Sequence, residues 1–244
     1  MQNYRALIQY DGTRYSGWQK QGNTAATIQG RLEKAISGLL EEEIELHGSG
    51  RTDAGVHAVG QVANFKTAKP LALPQFIGQL NEILPDDIAV LEIVPAEPRF
   101  HARLTAKEKV YRYSIRNSHC ADVFRRRFEY KLPEPLDVEK MQKAAKLLVG
   151  THDFRGFSTG RTKKSTVRTI YSIDITSSDG RVDILFTGDG FLYNMVRILT
   201  GTLIEIGMGT REIDSIQVVF DTKDRTRAGF TAPAQGLSLM EVRY

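Results

Sequence analysis

Residues 50 to 58 read Gly-Arg-Thr-Asp-Ala-Gly-Val-His-Ala, a string that sets the carboxyl group of Asp53 between the cation of Arg51 and the turn-forming Gly50 and Gly55. An aspartate in such a loop can bond backbone amides and close a turn. It can also act as a nucleophile or a base, and Arg51 would keep it ionised for either role. Tyr111 and Tyr113 are two residues apart, so on a strand they share a face, with Arg112 on the other. The pair reads as core aromatics or as a platform for stacking a nucleic-acid base, a role that Lys107, Lys109 and Arg112 suit. Arg197 is the third candidate. From Phe191 to Ile206 its only charged companion is Glu205, so a helix there is apolar around most of its circumference. Leu192, Met195, Val196, Leu199 and Leu203 lie nearly opposite Arg197, which leaves it facing solvent or paired with a counter-ion, for which Asp53 is a candidate. The stretch from Tyr10 to Lys20 crowds Tyr15, Trp18, Arg14 and Lys20 around Gly12 and Gly17, a composition able to cradle an RNA backbone and splay a base.

These side chains need elements to hold them. Residues 4–10 predict a strand, and from Thr27 onward Ile28, Leu32, Ala35, Ile36 and Leu39 share one helical face. Short strands are expected at 44–47 and 61–66, a helix at 74–84 and a strand at 88–94. The order is βαββαβ, the ferredoxin-like unit. A second, similar order follows: a strand at 109–116, a helix capped by Asp137, strands at 167–176 and 181–186, helices at 191–206 and 212–220, and a strand at 237–242. The expected fold class is therefore α+β, with ferredoxin-like halves at 1–100 and 101–244 joined in an extended, mostly antiparallel sheet with helices on one face.

The 244 residues suffice to bury about three quarters of the unfolded surface, in one large domain or two smaller ones. Apolar content of 41% and charged content of 25% are those of a globular protein. No run approaches the roughly eighteen apolar residues of a membrane span, and the N-terminal stretch lacks the pattern of a signal peptide. A soluble, cytoplasmic protein is expected. Cys120 is the single cysteine, with only His119 beside it, so neither a disulfide nor structural metal is expected. Net charge is +4, and basic residues cluster at 99–116, 125–127 and 155–168, which points to a polyanionic partner. Phosphate-binding P-loops, dinucleotide fingerprints, Gly-x-Ser-x-Gly and His-Glu-x-x-His are all missing from the sequence.

With the 50–58 string in hand, the chain resembles the tRNA pseudouridine synthase A family. The resemblance runs nearly end to end: Tyr10-Asp11-Gly12-Thr13 with Gly17-Trp18-Gln19, Phe100-His101-Ala102-Arg103, Tyr111-Arg112-Tyr113, Asn194-Met195-Val196-Arg197, and Lys223-Asp224-Arg225-Thr226 with Gln235-Gly236-Leu237. Family members often carry His where Asn194 stands, and Arg125 to Arg127 and the 161–165 loop fall in variable regions and receive no assigned contact. The resemblance implies isomerisation of uridine to pseudouridine in tRNA, in the family at positions 38 to 40 of the anticodon arm, with no cofactor and no metal. It implies Asp53 as the essential carboxylate, Arg197 as its partner, Tyr111 stacked on the uracil and placed to help remove the C5 proton, and Arg51 guiding the flipped nucleotide or filling the space it leaves. It further implies a homodimer that shares one tRNA between subunits. The residues alone also permit a non-catalytic tandem RNA-binding module, since RRM domains share the βαββαβ order, although no RNP1-type string is present. A small-molecule enzyme using Asp53 as a general base is a further reading.

Overall fold

The chain alternates strongly from its start: Tyr4, Ala6, Ile8 and Tyr10 are all buried, one face of a strand that runs over Gln2–Tyr10 (β1). The computed structural model describes residues 1–22, 24–160 and 164–244. These divide into a first unit, Met1–Lys107 with Leu239–Tyr244, and a second, Glu108–Ser238.

In the first unit β1 is followed by α1 (Ile28–Leu40), β2 (His47–Gly48), β3 (His57–Thr67), α2 (Leu73–Ile83) and β4 (Ile88–Ala96), the βαββαβ order expected. Thr27 caps α1, its hydroxyl accepting from the Gly30 amide, and Ile28, Leu32 and Ile36 are fully buried along one face. β1 lies between β3 and β4, antiparallel to both, and β2 adds to β3. The expected strand at 44–47 is shorter than its composition suggests. The Ile44 amide donates to Ser37 Oγ (3.0 Å) and the Leu46 amide to Glu33 Oε1 (3.1 Å), so side chains of α1 take the donors that a ladder would use.

The second unit holds β5 (Glu108–Arg116), β6 (Tyr130–Lys131), α3 (Val138–Lys146), β7 (Gly150–Asp153), β8 (Val167–Ser178), β9 (Arg181–Gly188), α4 (Met195–Gly207) and α5 (Ser215–Thr222). Its strands run β5-β9-β8-β7 with every neighbour antiparallel, while β6 lies parallel to β5. The class is thus α+β with mostly antiparallel sheet, as expected. Asp137 caps α3 by accepting from the Lys140 amide. The helix expected from Phe191 begins only at Met195, because Asn194 adopts a left-handed backbone (φ 59°) that no helix can pass through. The last strand, β10 (Leu237–Arg243), carries the chain into the first unit, where the Lys107 amide donates to the Arg243 carbonyl (2.9 Å) and the Tyr244 hydroxyl to the Ala102 carbonyl (2.8 Å). Among the described residues no helix is long and apolar enough to cross a membrane.

Candidate functional site

Asp53 sits half-buried in the loop between β2 and β3, and the backbone on both sides of it is pinned. Upstream, the Ser49 amide donates to the Val62 carbonyl (2.7 Å), and the buried Gln61 accepts from Ser49 Oγ (2.6 Å) while donating to the Gly50 carbonyl (3.2 Å). Two positions on, the Thr52 hydroxyl meets that of Tyr10 at 2.8 Å, and the Thr52 carbonyl accepts from the Trp18 amide at 3.0 Å. Burial pushes the Tyr10 phenol up to about 12, so it stays protonated in this bond. Downstream, the Gly55 amide donates to the Tyr15 carbonyl (3.2 Å) and the Val56 amide closes a turn onto the Asp53 carbonyl (3.1 Å). The loop is a fixed cradle for one carboxyl group.

The segment 10–20 is what backs that cradle. Tyr10, Tyr15 and Trp18 are all buried, so their rings line the inside of the unit and are not offered to a base as their composition suggested. Glycines let the two segments touch. Gly17 (φ 95°) lies where a β-carbon would stand 2.6 Å from the Thr52 carbonyl oxygen, a β-carbon on Gly12 would collide with the Val56 carbonyl, and one on Gly48 would stand 2.5 Å from the Trp18 indole. Arg51 is exposed, and its Nε donates to Gln19 Oε1 at 3.0 Å. Gln19 in turn donates to Gln29 (2.7 Å), whose amide group donates to the buried Glu33 (2.9 Å), itself bridged to Lys20 (3.1 Å). A polar chain from α1 therefore aims Arg51. Nothing in the sequence pointed to Gln19 in this role apart from its place beside Trp18.

Tyr111 and Arg197 belong to the second unit. Tyr111 is central on β5 opposite Phe186 of β9, nearly buried, with its ring edge-on to Phe191 at 5.3 Å. Tyr113, on the same face, is fully buried and donates its hydroxyl to the Pro233 carbonyl (2.8 Å). Burial raises its pKa strongly, and the charge of Arg197 acts in the opposite direction.

Arg197 sits on a helix whose remaining surface is almost entirely buried. Its Nε donates to the Ala232 carbonyl (2.7 Å) and its Nη1 to Asn194 Oδ1 (3.0 Å), while the Ala232 amide donates back to the Arg197 carbonyl (3.1 Å). One and two turns further along α4, a β-carbon on Gly201 would clash with the Phe230 carbonyl, and Glu205 Oε1 accepts from the Phe230 amide (3.1 Å). The side of α4 that carries Arg197, Gly201 and Glu205 is covered by the backbone of 229–232. Asn194 is fixed in turn, its amide group donating to Thr159 Oγ1 (2.8 Å). Of the expected site residues, Tyr111 and Arg197 thus share the second unit, and Asp53 and Arg51 share one loop of the first.

A family model described as tRNA pseudouridine synthase matches residues 6–104 and 144–244. The chain belongs to the tRNA pseudouridine synthase family. A tRNA pseudouridine synthase A from Bacillus sp. (strain KSM-64) is 46% identical over 245 aligned residues, covering 100% of both chains. The protein of the same description from Acetivibrio thermocellus is 48% identical over the full length of both, and "tRNA pseudouridine synthase A 2" of Clostridium tetani is 47% identical over 99% of this chain and 98% of that one. Members of the pseudouridine synthase family are isomerases. Asp53 and Arg197 lie inside the stretches that match the family model, and Tyr111 lies between them.

Proposed function

We propose that this family member isomerises uridine to pseudouridine in the anticodon arm of tRNA, at the family's positions 38 to 40, with Asp53 as the essential carboxylate. The observation that carries the reading is the Asp53 loop itself, a short segment clamped by Thr52, Gly17, Gly55 and Gln61 around one half-buried acid, within a chain whose full length matches named tRNA pseudouridine synthases. Placement of that kind serves chemistry on a bound group better than it serves a plain turn.

The reaction is a rearrangement within one nucleotide. The N1–C1′ bond breaks, the uracil turns, C5 bonds C1′, the C5 proton leaves and N1 gains a proton, so no oxidant, phosphate donor or metal enters the balance. Asp53 either forms a covalent adduct with the nucleotide or removes a sugar proton to give a glycal, and both routes need it ionised. Arg197, with Asn194 and Ala232 holding its fork in place, is the counter-ion that keeps it so. Tyr111 stacks on the uracil and helps remove the C5 proton. The target base has to leave its stack, and Arg51, aimed by Gln19, guides it or fills the gap. Water must be kept from the broken glycosidic bond, or the product is an abasic site. Basic residues elsewhere on the chain hold phosphates, and two copies of the chain share one tRNA in the cytoplasm.

The test uses purified wild-type and Asp53→Asn protein with an unmodified tRNA transcript and no added cofactor, mapping pseudouridine by carbodiimide-dependent primer-extension stops. Stops at 38 to 40 with wild type alone, while the variant melts normally and still binds tRNA, are the expected result. Binding by both proteins without stops from either would instead favour a non-catalytic RNA-binding module.

A further inference from the structure

The segment joining β5 to β6 carries Val123, Phe124, Arg125, Arg126, Arg127 and Phe128 in succession, and it falls between the two stretches that match the family model. The Phe124 side chain is 91% exposed and Val123 is 58% exposed, far outside the range of a packed aromatic or branched residue. The turn is nevertheless ordered. Asp122 Oδ1 accepts from the amides of Phe124 (3.0 Å) and Arg125 (3.1 Å), the Phe128 amide donates to the Arg125 carbonyl (2.7 Å), and the Arg126 guanidinium bonds the Val123 carbonyl. The Phe124 ring, held out in water by this turn, adds no packing to the unit.

We propose that this turn is an RNA contact: Phe124 stacks on an unpaired base or a helix end of the tRNA, and Arg125 and Arg126 bind the neighbouring phosphates. The proposal rests on the functional reading above. A base offers a π-face to any exposed aromatic ring, and the phosphates on either side of it supply the charge that adjacent arginines complement. A purely apolar partner would have to cover the charge of both guanidinium groups, of which Arg125 makes a loose, exposed pair with Asp122 (3.9 Å). The turn leaves the far end of β5, and Arg116 is five residues along that strand from Tyr111, on the order of 17 Å at the usual strand rise. Phe124 is assigned a binding contact and no part in the chemistry, so it acts on where and how tightly the tRNA lies.

The experiment compares full-length wild type, Phe124→Ala and the double variant Arg125→Gln/Arg126→Gln, each checked by thermal melting. It measures the Kd for unmodified tRNA across a salt series, single-turnover pseudouridine formation at saturating protein, and mass by sedimentation. Phe124→Ala is expected to raise Kd about tenfold with the saturated rate unchanged. The double variant is expected to lower the slope of log Kd against log salt by about two. Unchanged Kd and slope in variants that fold normally would overturn the proposal, as would a shift in mass with tRNA binding intact, which would assign the turn to contact between copies of the chain. If wild type forms no pseudouridine, the functional reading falls, and the Phe124 dependence of Kd still decides the role of the turn.

Discussion

Gly17 and Thr52 are in backbone contact: a β-carbon on Gly17 would stand 2.6 Å from the Thr52 carbonyl oxygen, and Gly17 has φ 95°. The residue before Asp53 is thus seated on a glycine that lies 35 positions earlier in the chain. Gly17→Ala adds a strained left-handed alanine to a clash with backbone that has no rotamer to give. It is expected to cost about 2–3 kcal/mol in urea unfolding and to lower pseudouridine formation even at temperatures where the variant is fully folded.

Arg197→Lys tests the fork. A lysine keeps the charge, but its single ammonium cannot reproduce the planar pair of contacts to Ala232 and Asn194. The saturated rate is expected to fall by at least tenfold, with a stability loss of about 1 kcal/mol. Circular dichroism melting alongside single-turnover kinetics separates the two effects.

Glu41 terminates α1 in the left-handed conformation, with φ 48°. Its side chain is exposed, so glycine loses only a weak ion pair with Lys69 (3.9 Å). Glu41→Gly is expected to raise stability by about 0.5–1 kcal/mol with activity unchanged, read by thermal melting.

Asp153 titrates in acid. Its burial alone would raise its pKa, but the Lys223 ammonium at 2.8 Å, the Thr166 hydroxyl and the Arg155 amide together hold it below the usual carboxylate value. A folded-state value below the unfolded one gives stability that is present above the ordinary carboxylate pKa and lost as pH falls through the depressed one. Lys223→Met is expected to lower stability at neutral pH and to flatten its decline below about pH 4, measured by urea unfolding across that range.

Much of the element order was legible because its patterns are local. Thr27 and Asp137 cap the helices they precede, and the alternation from Tyr4 to Tyr10 marks β1. Ile44 and Leu46 carry a strand-like pattern, yet their amides bond to Ser37 and Glu33, side chains whose role depends on how α1 lies. The apolar run through Phe191 and Leu192 hid the helix start, since composition does not report the positive φ of Asn194. The candidate residues Asp53 and Arg197 could be named from sequence, but their supports could not. Trp18 and Gln61 bond the carbonyls of Thr52 and Gly50 close to Asp53, Ala232 bonds Arg197, and a helical wheel has no means of showing the 229–232 segment laid along α4.

The return of residues 239–244 to the first unit bears on the order of events during synthesis. Met240 backs onto Gly60 of β3, Arg243 accepts from Lys107, and Tyr244 bonds Ala102, so the strand that follows the Asp53 loop is incomplete while the 131 residues of the second unit are being translated. A nascent chain carrying the entire 50–58 string is consequently still unfinished around its acid. Completion of the sheet beside the Asp53 loop is therefore a late event of synthesis, reached only once residues 239–244 have left the ribosome.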